Sequence, residues 1–189
     1  MNKPHDYKIK RNNISCLLLS LVLLSCSTTP QPQPKPAMPA EFSMALVQEY
    51  GPYYQKGGLA QNVVSLDLYS NGLSFDSLGL IQGSGTNLYF SDIFLPSESA
   101  SLQEGIYACD TLASPMTFLP GMNFEGSFTG AYLLYIEDSK LTSILLIEGG
   151  EMEVTKKNDS TFIDFRLRYK ENYRQYDYTA HFSGKLTNK

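Results

Sequence analysis

The 189-residue sequence has no tryptophan, only three cysteines and only two histidines, and much of the usual enzyme chemistry is missing with them. No apolar run reaches the ~20 residues that a membrane-spanning helix needs; the longest, Ile14 to Leu24, is about half of that. No Gly-x-Ser-x-Gly elbow presents a serine nucleophile. The run Gly83-Ser84-Gly85 lacks the lysine and the following helix of a phosphate-binding loop, so it reads as a turn. Beyond residue 42 no apolar stripe at helical spacing persists for three turns. What the sequence has instead is a sharply patterned amino terminus, strand-like alternation and thirteen tyrosines.

Residues 1–13 carry Lys3, Lys8, Lys10 and Arg11 against a single Asp6, and the apolar run follows directly. A basic step before a short apolar core is the layout of an export signal. The run ends in Leu23-Leu24-Ser25-Cys26, which resembles the lipobox of bacterial lipoproteins. The resemblance implies cleavage after residue 25, acylation of Cys26 and attachment to a lipid bilayer through the acyl chains. Each buried methylene contributes about 0.8 kcal/mol, so two or three chains hold a protein that one would not. An ordinary secretory cleavage site would want small residues at −1 and −3, which Leu23 and Leu24 fit poorly. Cys16, with Asn13 three residues before it, is a poor lipobox and leaves with residues 1–25. Residues 26–41 then form a tether, in which Pro30, Pro32, Pro34 and Pro36 alternate with other residues and favour an extended spacer. Residues 42–189 remain for a single domain with a real core.

Cleavage removes four of fifteen basic and one of nineteen acidic residues, leaving eleven against eighteen and a net charge of −7. That balance argues against nucleic acid as a partner and against docking on anionic lipid through a basic face. With Cys16 lost and Cys26 acylated, Cys109 has no partner for a disulfide. It sits in Gly105-Ile106-Tyr107-Ala108-Cys109-Asp110, a strand-like stretch in which a buried thiol is a small apolar side chain. His181 is the sole mature histidine, which removes paired-histidine zinc sites. No cofactor and no convergent catalytic set is expected, so the chain does not read as an enzyme.

The alternation is clearest from Thr161 to Tyr169, where Ile163, Phe165, Leu167 and Tyr169 face one way and Asp164, Arg166 and Arg168 the other. Glu151–Thr155 precedes it across Asn158-Asp159, a two-residue hairpin loop. Tyr176, Tyr178, Ala180 and Phe182 continue the pattern after it, which completes a three-stranded carboxy-terminal meander. Further strands are expected at Ser43–Glu49, Val63–Ser70, Asn87–Leu95, Gly105–Asp110, Ala131–Glu137 and Thr142–Glu148, with turns at Asn71-Gly72, Gly83-Ser84-Gly85 and Gly149-Gly150. The expected fold is all-β: an antiparallel β-sandwich or a small β-barrel of about eight or nine strands. Residues 111–130 are expected to be a long loop. A lipocalin is disfavoured, because the Gly-x-Trp signature of that family needs a tryptophan.

The layout Leu102-Gln103-Glu104-Gly105-Ile106-Tyr107, a glycine-rich loop and a closing meander resembles uncharacterised envelope lipoproteins of Bacteroidetes-type bacteria. That resemblance implies a place in the cell envelope, anchored most naturally in the outer membrane, and carries no catalytic residue with it. Surface-exported members often have acidic residues after the lipid cysteine; Ser27 to Pro36 has none, so either face of the membrane remains open. Asp76-Ser77-Leu78, Asp110-Thr111-Leu112 and Asp159-Ser160-Thr161 resemble the short O-glycosylation sequon of the same bacteria.

Two groups of residues are candidates for binding. If Lys157 faces Ser160 and Lys170 faces Gln175, then Glu153, Asp164 and His181 form one row across three strands, a set that could hold a divalent cation. The same register sets Glu151 opposite Arg166 and Arg168 opposite Asp177, as an ordinary solvated sheet face would. The second group is aromatic: Tyr50, Tyr53 and Tyr54 around Gly51-Pro52, with Tyr173 and Tyr176 at the last hairpin. Tyrosine offers an apolar face with a polar tip, suited to a glycan, a small molecule or an envelope protein. The functional expectation is an anchored binding module; the alternative is a structural or interaction subunit of an envelope complex.

Overall fold

The computed structural model describes residues 37–189; residues 1–36, with the expected signal segment, Cys26 and most of the expected tether, lie outside the described residues. The strands in chain order are β1 (Glu41–Phe42), β2 (Met44–Gly51), β3 (Val63–Tyr69), β4 (Leu73–Phe75), β5 (Ile81–Gly83), β6 (Gly85–Phe94), β7 (Gly105–Cys109) and β8 (Thr117–Phe118). They continue as β9 (Met122–Phe124), β10 (Ser127–Thr129), β11 (Ala131–Glu137), β12 (Lys140–Lys157), β13 (Ser160–Glu171), β14 (Arg174–Gly184) and β15 (Leu186–Asn188). The one described helix is a single 3₁₀ turn, Gln55–Gly57. The chain is all-β, as its alternation requires.

The hydrogen-bonded ladder closes on itself through five strands, β6–β11–β12–β7–β8 and back to β6. The fold is therefore a barrel rather than an open sandwich, and the other strands pack around that ring. β3 and β2 extend the sheet from β6, while β13 and β14 extend it from β12. The two flanks meet in a parallel seam, where Glu41 and Phe42 pair with His181 and Phe182, and Ala45, Leu46 and Val47 pair with Leu186, Thr187 and Asn188. Tyr178 fixes this seam by donating its hydroxyl to the Pro39 carbonyl at 2.7 Å.

Side chains from the closed ring and from the strands packed on it share one buried core. Phe42, Leu66, Leu68, Leu88, Phe90, Phe118, Ile163, Phe165 and Phe182 share one buried cluster with Tyr107 and Tyr135. The rings of Phe90 and Phe165 stack at 5.8 Å; Phe42 and Phe118 close on this pair edge-on, at 6.3 Å from Phe165 and 5.0 Å from Phe90. Tyr107 resolves its buried hydroxyl locally, accepting from the Gln103 N–H at 2.9 Å and donating to the Gln103 carbonyl at 3.1 Å.

The meander β12–β13–β14 runs in the register that the sequence suggests, with Lys157 opposite Ser160 and Lys170 opposite Gln175. Two expectations need correction. Gly149-Gly150 is not a turn: β12 passes straight through it as one strand with a bulge between Ile147 and Gly149. Gly150 has φ +113°, and a Cβ there would lie 2.1 Å from the Arg166 carbonyl oxygen, so only glycine lets β13 pair so closely. Residues 111–130 are not a plain loop either, because they contain β8 and the small hairpin β9–β10. Short strands such as these lack the length for a readable alternation; eight strands of five residues or more carry the barrel.

Cys109 closes β7 half-buried, packed against the core. Burial pushes its thiol from 9.0 up to about 11, against a smaller lowering influence of Arg168. Alkylation by iodoacetamide at pH 8 is expected to run roughly a hundredfold slower than for an unfolded cysteine, and to reach the free-thiol rate in denaturant.

Candidate functional site

Two strands, β2 and β6, break their alternation at the same height. On β2, Glu49 pairs with Val64 and Gly51 with Val63, so Tyr50 is the extra residue of a bulge. On β6, Phe90 pairs with Leu66 and Ile93 with Val64, so three residue steps oppose two and the neighbours Ser91 and Asp92 both leave the interior pattern. Bulges re-aim side chains in this way and are enriched beside functional sites.

Between the bulges lies a cleft of about 220 Å³ lined by Tyr50, Tyr53, Tyr54, Val63, Tyr89, Ser91 and Asp92. The volume is below that of drug-sized pockets, ~300–1,000 Å³, and suits one ring or one small head group. Gly51, at φ +63°, turns the chain out of β2; the Tyr53 N–H returns to the Gly51 carbonyl at 2.8 Å and the 3₁₀ turn follows. This local geometry sets the rings nearly at right angles. Tyr53 and Tyr54 meet edge-to-face at 4.9 Å and 89°, while Tyr50 and Tyr53 are 5.7 Å apart at 60°. Tyr54 forms the floor, with its ring beside Phe94 and packed on the small buried cluster of Val63, Phe94 and Ala113. Tyr53 is the outer wall and remains 64% exposed.

Asp92 organises the polar side of the cleft. Its Oδ1 accepts the Tyr54 hydroxyl at 2.6 Å and its Oδ2 accepts the Ser91 hydroxyl. Desolvation, then the bond to Asp92, pushes the Tyr54 phenol well above its ordinary value, so it stays protonated and donating at any physiological pH. Ser91 Oγ also accepts the Gly130 N–H at 2.7 Å, and the Ser91 N–H reaches the Gly130 carbonyl at 3.0 Å, which ties the end of the 111–130 segment to the cleft. Gly130, at φ +76°, has the Pro120 carbonyl oxygen 1.9 Å from where a Cβ would stand, so this approach also requires glycine.

Beside the cleft a second carboxylate, Asp67 of β3, is buried on the same outer face. It pairs with Lys189, whose Nζ lies 5.5 Å from the centroid of the Tyr89 ring, and Asn87 Nδ2 is 3.4 Å away. Burial raises the Asp67 carboxyl above its ordinary value; Lys189 and Asn87 oppose that rise. Tyr132, next to Tyr89 at 5.1 Å, has its phenol pushed up to about 12 by burial and by the Asp67 charge.

Of the sequence candidates, Tyr50, Tyr53 and Tyr54 come together in the cleft, while Tyr173 and Tyr176 do not join them. The latter lie where β13 turns into β14, at the opposite end of the barrel from the end of β2. Tyr173 projects from the hairpin tip and Tyr176 stacks on Tyr169 at 5.3 Å. Glu153, Asp164 and His181 do form one row. Their side chains nevertheless have other neighbours: Glu153 accepts from Arg166 at 3.2 Å, Arg166 also bridges to Glu151 at 2.7 Å, and His181 Nε2 lies 3.8 Å from Glu41 of β1. Among the described residues no three His, Cys, Asp or Glu side chains are grouped so as to hold a metal ion. The row lies on the outer face of the meander, where Arg166 is ion-paired with Glu153 and Glu151.

Tyr89, Ser91 and Asp92 are cleft residues that the sequence candidates omit. A readable trace existed: Phe90-Ser91-Asp92-Ile93 places two polar residues in succession inside an otherwise alternating strand. Comparison with protein-family models, with characterised proteins and with solved structures finds no match for this chain.

Proposed function

We propose that this protein is a lipid-anchored envelope lipoprotein, held to the bilayer through Cys26, whose barrel binds a small molecule or a glycan in the Tyr50–Tyr53–Tyr54–Tyr89 cleft. The observation that carries the reading is the pair of bulges that turns aromatic and polar side chains into one concave site outside a filled barrel. Crossed aromatic faces with a few convergent polar groups are what small-ligand sites use. The residues support recognition rather than catalysis: the Tyr54 phenol is held protonated, Asp92 is committed to two hydroxyl donors, and the sole described histidine, His181, lies on the meander face. Calorimetric titration with a panel of neutral monosaccharides and small amines tests this reading. Binding that Tyr53→Ala abolishes while the melting temperature holds is the expected result; binding indifferent to Tyr53, or none across the panel, contradicts it.

One observation favours the alternative, an interaction subunit. β2, β6, β12 and β14 start, and β3, β11 and β13 end, at the same end of the barrel. Leu78 and Leu80 are exposed in the β4–β5 connection at that end, Leu141 is exposed at the start of β12, and Tyr173 is 97% exposed there at φ +64°. A bulky side chain in a left-handed conformation costs roughly 1–2 kcal/mol. Tyr173→Gly is therefore expected to raise stability by about 1 kcal/mol in chemical denaturation. Loss of a crosslinked envelope partner in the same variant would favour the interaction reading over the cleft.

A further inference from the structure

We propose that the tyrosine cleft selects a cationic head group, an alkylated or primary ammonium, rather than a neutral or anionic ligand. The inference deepens the binding reading above and rests on it. Asp92 is 6% exposed, yet among the described residues no Lys or Arg lies within ion-pair distance of its carboxylate. Its two oxygens receive only the Tyr54 and Ser91 hydroxyls. Buried carboxylates are ordinarily neutralised by a cation, because hydrogen bonds alone leave the charge itself uncompensated. None of the residues lining the cleft is basic. An anionic ligand would therefore meet the Asp92 charge with nothing to offset it.

The same molecule carries the matching arrangement with its cation in place. Asp67, on the neighbouring strand and the same face, is as deeply buried as Asp92; it is neutralised by the Lys189 ammonium, which rests over the Tyr89 ring. Tyr89 is also a wall of the cleft. The cleft repeats that combination of buried carboxylate and tyrosine rings, with Tyr50 and Tyr53 at 60° and Tyr53 and Tyr54 at 89° to one another. Crossed aromatic faces are how proteins hold quaternary ammonium groups, since each ring turns its negative face towards the charge.

The test uses tetramethylammonium, with tert-butanol as a neutral probe of similar size and glucose as a neutral sugar, titrated into the protein at constant ionic strength. Tetramethylammonium is expected to bind while the neutral probes bind at least about tenfold more weakly. Asp92→Asn keeps an acceptor for Tyr54 and removes the charge; Tyr53→Leu keeps apolar bulk and removes the π face. Each is expected to weaken tetramethylammonium about tenfold, whereas Tyr53→Phe retains it. Glucose or tert-butanol binding as tightly as tetramethylammonium, or Asp92→Asn leaving its affinity unchanged, overturns the cation assignment and leaves the cleft as a neutral-ligand site. No binding by any probe overturns both.

Discussion

Phe165→Ala is expected to lower the stability of the barrel by about 3–5 kcal/mol, seen as a fall in the urea midpoint with an unchanged denaturant slope. The ring is buried, stacked on Phe90 and met edge-on by Phe42, so its loss removes contacts on both sides and leaves a cavity among rigid strands. The size of the effect discriminates between two accounts of the fold. A barrel that enclosed its ligand would have an interior wall facing ligand or water, and trimming one ring of that wall would cost little stability while weakening binding. Here the interior is solid and the cleft lies outside it. Phe165→Ala is accordingly expected to spare ligand affinity wherever the variant remains folded.

The second large effect is at Lys189. Lys189→Ala leaves the Asp67 carboxylate buried without its ammonium and is expected to cost about 2–3 kcal/mol, at the lower end for a broken buried pair because Lys189 itself keeps some contact with water. Asp67→Asn added to that variant is expected to recover much of the loss, since an uncharged amide no longer needs the cation. The pH dependence has a definite sign. The folded-state value of the Asp67 carboxyl is raised above the ordinary 3.8 by desolvation, so between 3.8 and the raised value the native protein holds a proton that the unfolded chain has released. The contribution of Asp67 is therefore fully favourable below 3.8 and is lost as pH rises through the raised value. Removing Lys189 should push that value higher and widen the window, whereas Asp67→Asn should flatten it.

The all-β class and the long strands were legible because long strands with one buried face must alternate; sandwich and barrel were not told apart. β13 shows every residue of the pattern, and the register supposed for the meander, Lys157 opposite Ser160 and Lys170 opposite Gln175, is the one the strands adopt. Closure was not legible. It depends on β7–β8 and on the parallel seam of β1 and β2 with β14 and β15, which join segments distant in sequence through pairings of two to four residues. Gly149-Gly150 was misread for a physical reason: the same freedom of φ that makes a glycine pair a turn also lets a strand bulge without stopping.

Half of the cleft was visible as the Tyr50, Tyr53 and Tyr54 cluster, because a Gly-Pro turn keeps neighbouring rings together. Its other half comes from β6, whose Asp92 faces it only because a bulge breaks the alternation. The metal row shows the opposite outcome. Its register was right, but Arg166 and Glu41 lie against the same side chains, and a sequence row does not reveal its lateral neighbours.

The most direct test of the account follows the ring signals of isotope-labelled tyrosines by NMR while a fragment library of small sugars and amines is titrated in. Binding at the outer cleft predicts shifts confined to Tyr50, Tyr53, Tyr54 and Tyr89, with the interior Tyr107 and Tyr135 unmoved. Shifts centred on Tyr107 and Tyr135 would place the ligand inside the barrel, and shifts confined to Tyr173 and Tyr176 would place it at the opposite end; either contradicts the account.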